Sequence, residues 1–474
     1  IEQFTNLVKI PHVSDDYGNW TRTNNMKIYL KNLLLTDKFN LHTWHSQDDG
    51  LTYAGNAYFD IPASSDGANI PTIILQAHMD MVFATIDSSI TPDNLKIELV
   101  NDVVNNKNVI HSKDYKTNIG SDDGIGLAMI LAIAAHRDEF TNGKIRCLLT
   151  SNEEVSWNGA EYVPADDNEN WFRENPNDKN SQIIDYLINV DDENIEELSI
   201  ASCGGFTTFI TCDLDSITPT TNDVYYSLVL DKFKGGHSAD MTKNQTNAIK
   251  YLAEVAKGIE EKYSDSFKLY DLSSPTEFSN QIAISATAKF AISSDKTTEL
   301  QNYAKEKIAE LKEKYSDEVD ATIEIKKETS VPAKVISIKQ SQDLLSFLNY
   351  IPCGLFVPQS VKGEFTTANI GPISFDLNDT NKFVLETFPR GYNKQILEIS
   401  HYDIHSLSTT YLSNYNQVCI DSIYFDPWLP NEDNPMQKLI IEAYHAAGIN
   451  PNKIYCPGAL ETSWWIKKQP KINM

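Results

Sequence analysis

Residues 71–80 read PTIILQAHMD, and this stretch decides the fold because a short apolar run stops at His78 and Asp80. Two later runs repeat the arrangement: KIRCLLTSN leads into Glu153 and Glu154, and IIDYLINV leads into Asp191. Short apolar runs rich in β-branched residues are typical of buried parallel strands. Ligands bind beyond the carboxyl ends of such strands. The pattern therefore predicts an α/β fold, with a mostly parallel sheet, flanking helices, and acidic side chains gathered at one sheet edge.

A fourth acidic segment precedes a long apolar helix. Asp122 and Asp123 stand between glycines, ahead of the run GIGLAMILAIAAHRDEF. Because that run is nearly all apolar, it predicts a helix buried against the sheet. An Asp at a helix start is more often an N-cap than a ligand. With two of them, one can cap the helix while the other points into the cleft, where a carboxylate can bridge two metal ions.

The spacing of the other acids suggests separate tasks. His78 and Asp80 are two residues apart on a strand, so they share a face, and Asp80 can orient the imidazole. Adjacent strand residues face opposite ways, so we expect one of Glu153 and Glu154 to bind metal and the other to act as a base. Each motif alone is more often a satisfied histidine, a cap or a solvated turn. Together they predict a metal-dependent hydrolase, because gathered carboxylates are costly without a cation.

Composition excludes several classes of function. The chain has 474 residues and a formal net charge of −26, which argues against nucleic acid and anionic membrane surfaces as partners. Six scattered cysteines favour reduced thiols and a cytoplasmic protein. No apolar run is long enough to span a bilayer. The first residue is Ile1, and it already lies within an amphipathic helix pattern, so the sequence leaves open whether a targeting segment once preceded it.

The length predicts two domains. Residues 1–205 alternate helix and strand patterns, with Asp48-Asp49-Gly50 as a hairpin turn. Residues 206–425 contain strands that alternate apolar and polar side chains, which predicts an antiparallel, inserted α+β domain. Residues 426–474 return to the first domain. The His237 motif, Lys-Gly-Gly-His-Ser, lies in the insertion and by itself indicates only a tight turn.

At these positions the chain resembles the zinc metallopeptidase family that contains carboxypeptidase G, peptidase T and the aminoacyl-histidine (Xaa-His) dipeptidases, and it is most similar to the last group. The stretches that carry the resemblance are LQAHMDMV, GSDDGIGLAM, TSNEEVSWNGA, LINVDDEN, KGGHSAD and PWLPNEDNPMQKL. They run along nearly the whole chain. The resemblance implies a catalytic α/β domain and an inserted lid domain through which the protein forms a homodimer.

The resemblance also implies a role for each site residue. Two zinc ions, or manganese or cobalt, would activate water against a dipeptide or short peptide. The implied roles are His78 and Asp191 on one zinc, Asp122 as the bridge, Glu154 on the second zinc, Asp80 orienting His78, Glu153 as general base, His237 polarising the scissile carbonyl, and Asn247 and Glu461 contacting substrate.

The sequence departs from the family pattern in three places. The family's second zinc takes a further histidine from a late segment, which the resemblance places beyond Met474. The dipeptidase group has a histidine before the Glu that matches Glu461, and this chain has Pro457-Gly458-Ala459-Leu460 there. The lid arginine has no clear match, and Arg390 is assigned to it only as a hypothesis. Two alternatives therefore stay open. One is an amidase or deacylase on the same scaffold, and the other is a metal-poor homologue that acts as a binding or scaffold protein.

Overall fold

The structure is a computed structural model, and it divides the chain into two compact units. It describes all residues except 16–19, 37, 45, 49–50, 105–106, 193, 358–365 and 432. The first unit comprises Ile1–Ile200, Pro430–Ile454 and Leu460–Met474, and the second comprises Ala201–Leu429 and Tyr455–Ala459. The sequence predicted domain boundaries after residues 205 and 425. In the structure, the corresponding boundaries between the compact units fall after residues 200 and 429.

The first unit is built on a mixed five-stranded sheet. Its strands are, in spatial order, His42–Thr43, Ala57–Ile61, Ile145–Thr150, Ile73–His78 and Tyr186–Asn189. The last three are parallel, and the first two pair antiparallel. The apolar runs of the sequence form these parallel strands. Every residue of the Ile145–Thr150 strand is buried, as expected for an apolar strand inside a sheet. The predicted α/β class is confirmed.

Helices and short hairpins complete the first unit. Its helices are Glu2–Leu7, Thr21–Thr36, Ser121–Ala135, Glu153–Ser156, Asn158–Glu161, Pro435–Ala446 and Thr462–Lys468, with a 3₁₀ turn at Arg137–Glu139. Ser121–Ala135 is the predicted apolar helix, and it packs against the Ile73–His78 strand. Two hairpins pair Ser46–Asp48 with Leu51–Ala54 and Leu99–Val104 with Lys107–Ser112. Asp49 and Gly50 of the predicted turn lie outside the described residues. Glu197–Ser202 and Asn452–Cys456 are further strands, and the last two residues of each belong to the second unit.

The second unit contains two antiparallel sheets, as the alternating patterns predicted. The five-stranded sheet has the order Gly354–Val357, Thr366–Asp376, Lys382–Gly391, Gly204–Asp213 and Val418–Phe425. The four-stranded sheet has the order Lys268–Ser273, Ala286–Ile292, Val224–Asp231 and Thr322–Lys327. Short strand pairs join Ser216–Ile217 to Val335–Ile336 and Gly236–His237 to Gln281–Ile282.

Four long helices pack on these sheets around one apolar core. They are Ala248–Lys262, Thr297–Lys314, Ile338–Tyr350 and Lys394–Leu412, with 3₁₀ turns at Ser238–Asp240 and Ser413–Tyr415. Ala248–Lys262 buries Ile249, Leu252, Val255 and Ile259, the residues whose spacing predicted it. Across the described parts of both units, no helix has the length and apolarity needed to cross a bilayer.

Candidate metal centre

The centre is built around His78, the last residue of a central strand. Its side chain is fully buried. The strand pairs in parallel with Ile145–Thr150, and His78 lies opposite Thr150, the last residue of that neighbour. Parallel strands end at the same edge of a sheet, so the segments that follow His78 and Thr150 emerge side by side. This register explains why the acids after each strand meet.

Three aspartates surround the His78 ring. Its Nε2 lies 2.9 Å from Asp122 Oδ1 and 3.8 Å from Asp191 Oδ2, and its Nδ1 lies 3.4 Å from Asp80 Oδ1. Burial alone would lower the pKa of His78, but Asp122, Asp80 and Asp191 together hold it well above its ordinary value of 6.5. The imidazole therefore lies in a strongly negative environment, the kind that attracts a cation.

Asp80 is fixed by contacts on both oxygens. Its Oδ2 accepts a hydrogen bond of 2.6 Å from the Ser14 hydroxyl, and its carboxylate also accepts the backbone N–H groups of Glu153 and Glu154 at 3.2 and 3.4 Å. Burial would raise the pKa of Asp80, but the contacts with His78 and these donors lower it. Asp80 is thus an ionised carboxylate facing the Nδ1 side of His78, which leaves Nε2 directed at Asp122 and Asp191.

Asp122 and Asp123 are adjacent, but their side chains make different contacts. Asp123 accepts hydrogen bonds from the Gly126 N–H at 3.0 Å and the His78 N–H at 3.3 Å, so it both caps the helix and ties it to the strand. Asp122 faces the His78 ring instead. The two residues depart from helical φ/ψ, which lets adjacent side chains take these separate directions.

The predicted geometry of Glu153 and Glu154 is wrong, because these residues are not on a strand. The strand ends at Thr150, Asn152 adopts a left-handed conformation with φ of 55°, and a helical turn begins at Glu153. Adjacent residues on a helix are about 100° apart rather than opposed. Both glutamates therefore reach His78, and one donor atom of each of the three residues lies within 4.8 Å of the others.

The donor set suits divalent metal ions. A second group, His78, Asp122 and Asp191, also has one donor atom per residue within 4.8 Å of the others. Imidazole and carboxylate donors are the ligands of zinc, manganese and cobalt sites. Burial and neighbouring acids, including Asp191 and Asp122, raise the pKa of Glu153 well above its ordinary value and that of Glu154 to about 8. A divalent cation would offset this repulsion, since it favours the charged carboxylates.

Glu461 belongs to the first unit and is buried. Its Oε2 accepts hydrogen bonds from Gln76 and, at 2.9 Å, from Thr150, while its Oε1 has no partner among the described residues. Burial raises the pKa of Glu461 to about 7. Sequence reasoning missed His12, a buried histidine whose Nε2 likewise has no partner in the described part of the chain. No sequence pattern marked it.

The other predicted site residues lie in the second unit. His237 Nδ1 accepts the Ala239 N–H at 3.4 Å. Asn247 caps the Ala248–Lys262 helix through its Oδ1, and its Nδ2 donates to Asn369 Oδ1 and the Ile370 carbonyl. Arg390 is buried and donates from Nη2 to Ser238 Oγ at 3.2 Å, and its Nε has no partner among the residues described.

Comparisons with known proteins find relatives that match most of the chain. The cytosol non-specific dipeptidase of Escherichia coli (strain K12) is 24% identical over 443 residues, which cover 89% of this chain and 81% of that protein. The aminoacylhistidine dipeptidase structure from Vibrio alginolyticus matches with a TM-score of 0.73 at 22% identity, covering 100% of this chain and 88% of that one. The dipeptidase Dug1p from Saccharomyces cerevisiae matches with a TM-score of 0.53 at 12% identity, covering 100% and 86%.

A family model settles the membership that the motifs indicated. The model for peptidase family M20/M25/M40 matches residues 74–474, which is well over half of the chain. This range contains His78, the acids around it and the second unit. The chain is a metallopeptidase of the peptidase family M20/M25/M40.

Proposed function

We propose that this chain is a dipeptidase that uses two divalent metal ions, with zinc as the preferred metal. The observation that carries the proposal is the convergence on His78 of carboxylates from four separate segments, which contain Asp80, Asp122, the Glu153–Glu154 pair and Asp191. The similarity to proteins named as dipeptidases supports dipeptides as the substrate class. Xaa-His dipeptides are the first to test.

The ligand roles are those that the family resemblance implies, and the grouping of donor atoms around His78 is compatible with them. His78 and Asp191 would hold one ion, Asp122 would bridge, and Glu154 would hold the second. When bound, the ions supply Lewis acidity that activates water and polarises the scissile carbonyl. Asp80 holds the His78 ring so that Nε2 faces Asp122 and Asp191. The role of Asp80 is therefore positioning.

Glu153 is the proposed general base. It lies in the group with His78 and Glu154, close enough to receive a proton from a water bound there. The same carboxyl group would then donate that proton to the leaving amine nitrogen. This transfer returns Glu153 to its starting form, so the residue acts catalytically without net change.

The second unit would bind the substrate. Because His237 Nδ1 accepts the Ala239 N–H, the neutral ring carries its proton on Nε2, which suits a donor to the scissile carbonyl. Arg390 would pair with a substrate carboxylate, and Asn247 would contact substrate. Glu461 of the first unit is a further proposed substrate contact. We further propose a homodimer formed through the second unit and, by extension from the Escherichia coli relative, a cytoplasmic location.

The test is hydrolysis by chelator-treated protein with defined metals added back. We expect no hydrolysis of Ala-Ala or Ala-His without metal and recovery with zinc, manganese or cobalt. N-acetyl-histidine separates this proposal from an amidase or deacylase, because it lacks a free amino terminus. Hydrolysis of N-acetyl-histidine in preference to both dipeptides would contradict the proposal. So would a protein that binds no metal and hydrolyses neither class, which is the behaviour of a scaffold or binding protein.

A further inference from the structure

A second histidine–carboxylate cluster lies in the second unit, and none of its three residues has a proposed role in hydrolysis. His401 and His405 are four residues apart on the Lys394–Leu412 helix, so both side chains lie on one face of it. Their Nε2 atoms lie 2.6 and 3.2 Å from the two carboxylate oxygens of Asp421, on the Val418–Phe425 strand. The two rings are 4.3 Å apart, centroid to centroid.

Asp421 is held in place by the sheet. Its strand is the edge strand beside Gly204–Asp213, and the register shifts between Thr207 and Thr208, so that Asp421 lies opposite Thr208. Such irregularities at sheet edges redirect side chains. The Thr208 hydroxyl donates a 2.7 Å hydrogen bond to Asp421 Oδ1. A partner of this kind orients a ligating carboxylate.

The two histidines are also positioned by packing. The His401 ring packs in a T-shaped arrangement against the buried Phe206 ring, with centroids 5.4 Å apart and an interplanar angle of 73°. The helix buries Leu397, Ser400 and Ile404, and the histidines flank that buried stripe. Their side chains remain 40% and 33% exposed, and that of Asp421 is 31% exposed. The cluster is therefore ordered on one side and open to ions on the other.

We propose that His401, His405 and Asp421 form a binding site for a divalent transition-metal ion, of which zinc is the example. One donor atom of each residue lies within 4.8 Å of the others. Two histidines spaced i and i+4 on a helix present both imidazoles to one ion. Two imidazoles and one carboxylate make a three-ligand zinc site with one position left for water. Imidazole donors favour zinc, copper and nickel over magnesium or calcium.

A bound ion would tie the middle of the Lys394–Leu412 helix to an edge strand. The chain between Leu412 and Val418 contains only the Ser413–Tyr415 turn and two further residues. To bind an ion through Nε2, each neutral imidazole would carry its proton on Nδ1, so that the Nε2 lone pair faces the ion. Because a metal that binds only the folded chain stabilises it, zinc would raise the unfolding temperature through this site.

The test compares zinc stoichiometry in matched variants of the full chain. Chelator-treated protein is dialysed against buffered zinc, and bound zinc per chain is counted by mass spectrometry. We expect the His401→Gln/His405→Gln variant to bind one zinc fewer than the native chain. His136→Gln is the control, because His136 is an exposed helix-end histidine that also contacts a carboxylate, Glu139 at 2.7 Å. That control should bind as much zinc as the native chain.

A milder variant keeps all three ligands and protects the test against misfolding. Thr208→Val removes only the hydrogen bond to Asp421, and we expect it to weaken zinc binding at this site about tenfold. Asp122→Asn should lower the zinc bound at the His78 centre and leave this zinc in place, so failure of the two proposals is distinguishable. Equal zinc stoichiometry and affinity in the native chain, the histidine variant and the Thr208 variant would overturn the site and leave only a hydrogen-bonded group of three residues.

Discussion

The cluster at His78 and the cluster at His401 contain the same residue types in opposite environments. His78 is fully buried among acids, whereas the side chains of His401 and His405 are 40% and 33% exposed. Unpaired charge in the interior costs several kcal/mol, whereas exposed ion pairs contribute only about 0–1 kcal/mol. The buried cluster therefore depends on a cation for its charge balance, and the exposed one is stable with or without an ion. We therefore expect burial, more than residue type, to determine how strongly a substitution in either cluster affects activity or stability.

The largest effect should come from Glu153 in the buried cluster. Replacing it by Gln keeps the shape but removes the proton acceptor, so kcat for a dipeptide should fall on the order of 100- to 10,000-fold. The metal content should stay unchanged, because Glu153 is not a proposed ligand. The measurements are steady-state kinetics and zinc counting on the same preparations.

Glu154→Gln is the matched control for that prediction. The two glutamates are neighbours in one helical turn and both approach His78. The proposed ligand role means that Glu154→Gln should lose bound metal along with activity. If Glu153→Gln lost metal and Glu154→Gln retained it, the two roles would have to be exchanged.

The second effect concerns stability and compares an ion pair that has a buried guanidinium and a 33% exposed carboxylate with a pair that is exposed on both sides. Arg146 donates to both oxygens of Asp60 at 2.8 Å and to the carbonyls of Trp171 and Arg173, and its side chain is 1% exposed. Arg146→Met leaves all of these acceptors without their donor, so the free energy of unfolding should fall by about 3 kcal/mol. Denaturant unfolding measures the change.

The exposed pair of Lys113 and Glu98 provides the reference. Their side chains are 61% and 70% exposed and 2.9 Å apart. Lys113→Met should change the free energy of unfolding by less than about 1 kcal/mol. Equal losses in the Arg146 and Lys113 variants would show that burial does not separate the two pairs.

Much of the buried centre was predictable because the end of an apolar run in the sequence indicates where a buried strand ends. The apolar run before His78 and the run before Glu153 fixed two parallel strands, and parallel strands end together. The doubled Asp predicted that one residue caps the helix while the other faces the cleft; in the structure Asp123 accepts the Gly126 N–H and Asp122 faces the His78 ring. The direction of the Glu153 side chain was not predictable, since it depends on the left-handed turn at Asn152, which no local pattern announced.

The exposed cluster escaped prediction for a different reason. The spacing of His401 and His405 was visible as HYDIH, and this signal alone could have flagged a metal-binding face. Asp421 lies 16 residues after His405, in an alternating strand where an Asp is ordinarily a solvated side chain. Its place opposite Thr208 follows from the register shift in the sheet, which is a tertiary property. Contacts between a helix and an edge strand therefore needed the structure.

A smaller effect should separate two helix caps in the second unit. Asn247 caps one helix and also donates to Asn369 and the Ile370 carbonyl in the interior, so Asn247→Ala should destabilise the chain by about 2 kcal/mol. Asn393 caps the helix that carries His401 and His405 through two backbone N–H groups alone. Asn393→Ala should cost about 1 kcal/mol. Similar losses for both would mean that the Asn369 and Ile370 contacts contribute nothing measurable.

The smallest effect concerns the protonation of His237, whose environment is the reverse of that of His78. Desolvation lowers the pKa of His237 to about 4, and the charge of Arg390 acts in the same direction, although part of the side chain stays exposed. The unfolded chain then binds more protons than the folded one between pH 6.5 and about 4, so this residue lowers stability as pH falls through that window. An NMR titration of the imidazole, assigned with His237→Asn, should give a midpoint well below 6.5. A midpoint above 6 would remove the basis for a neutral imidazole as the donor to the scissile carbonyl.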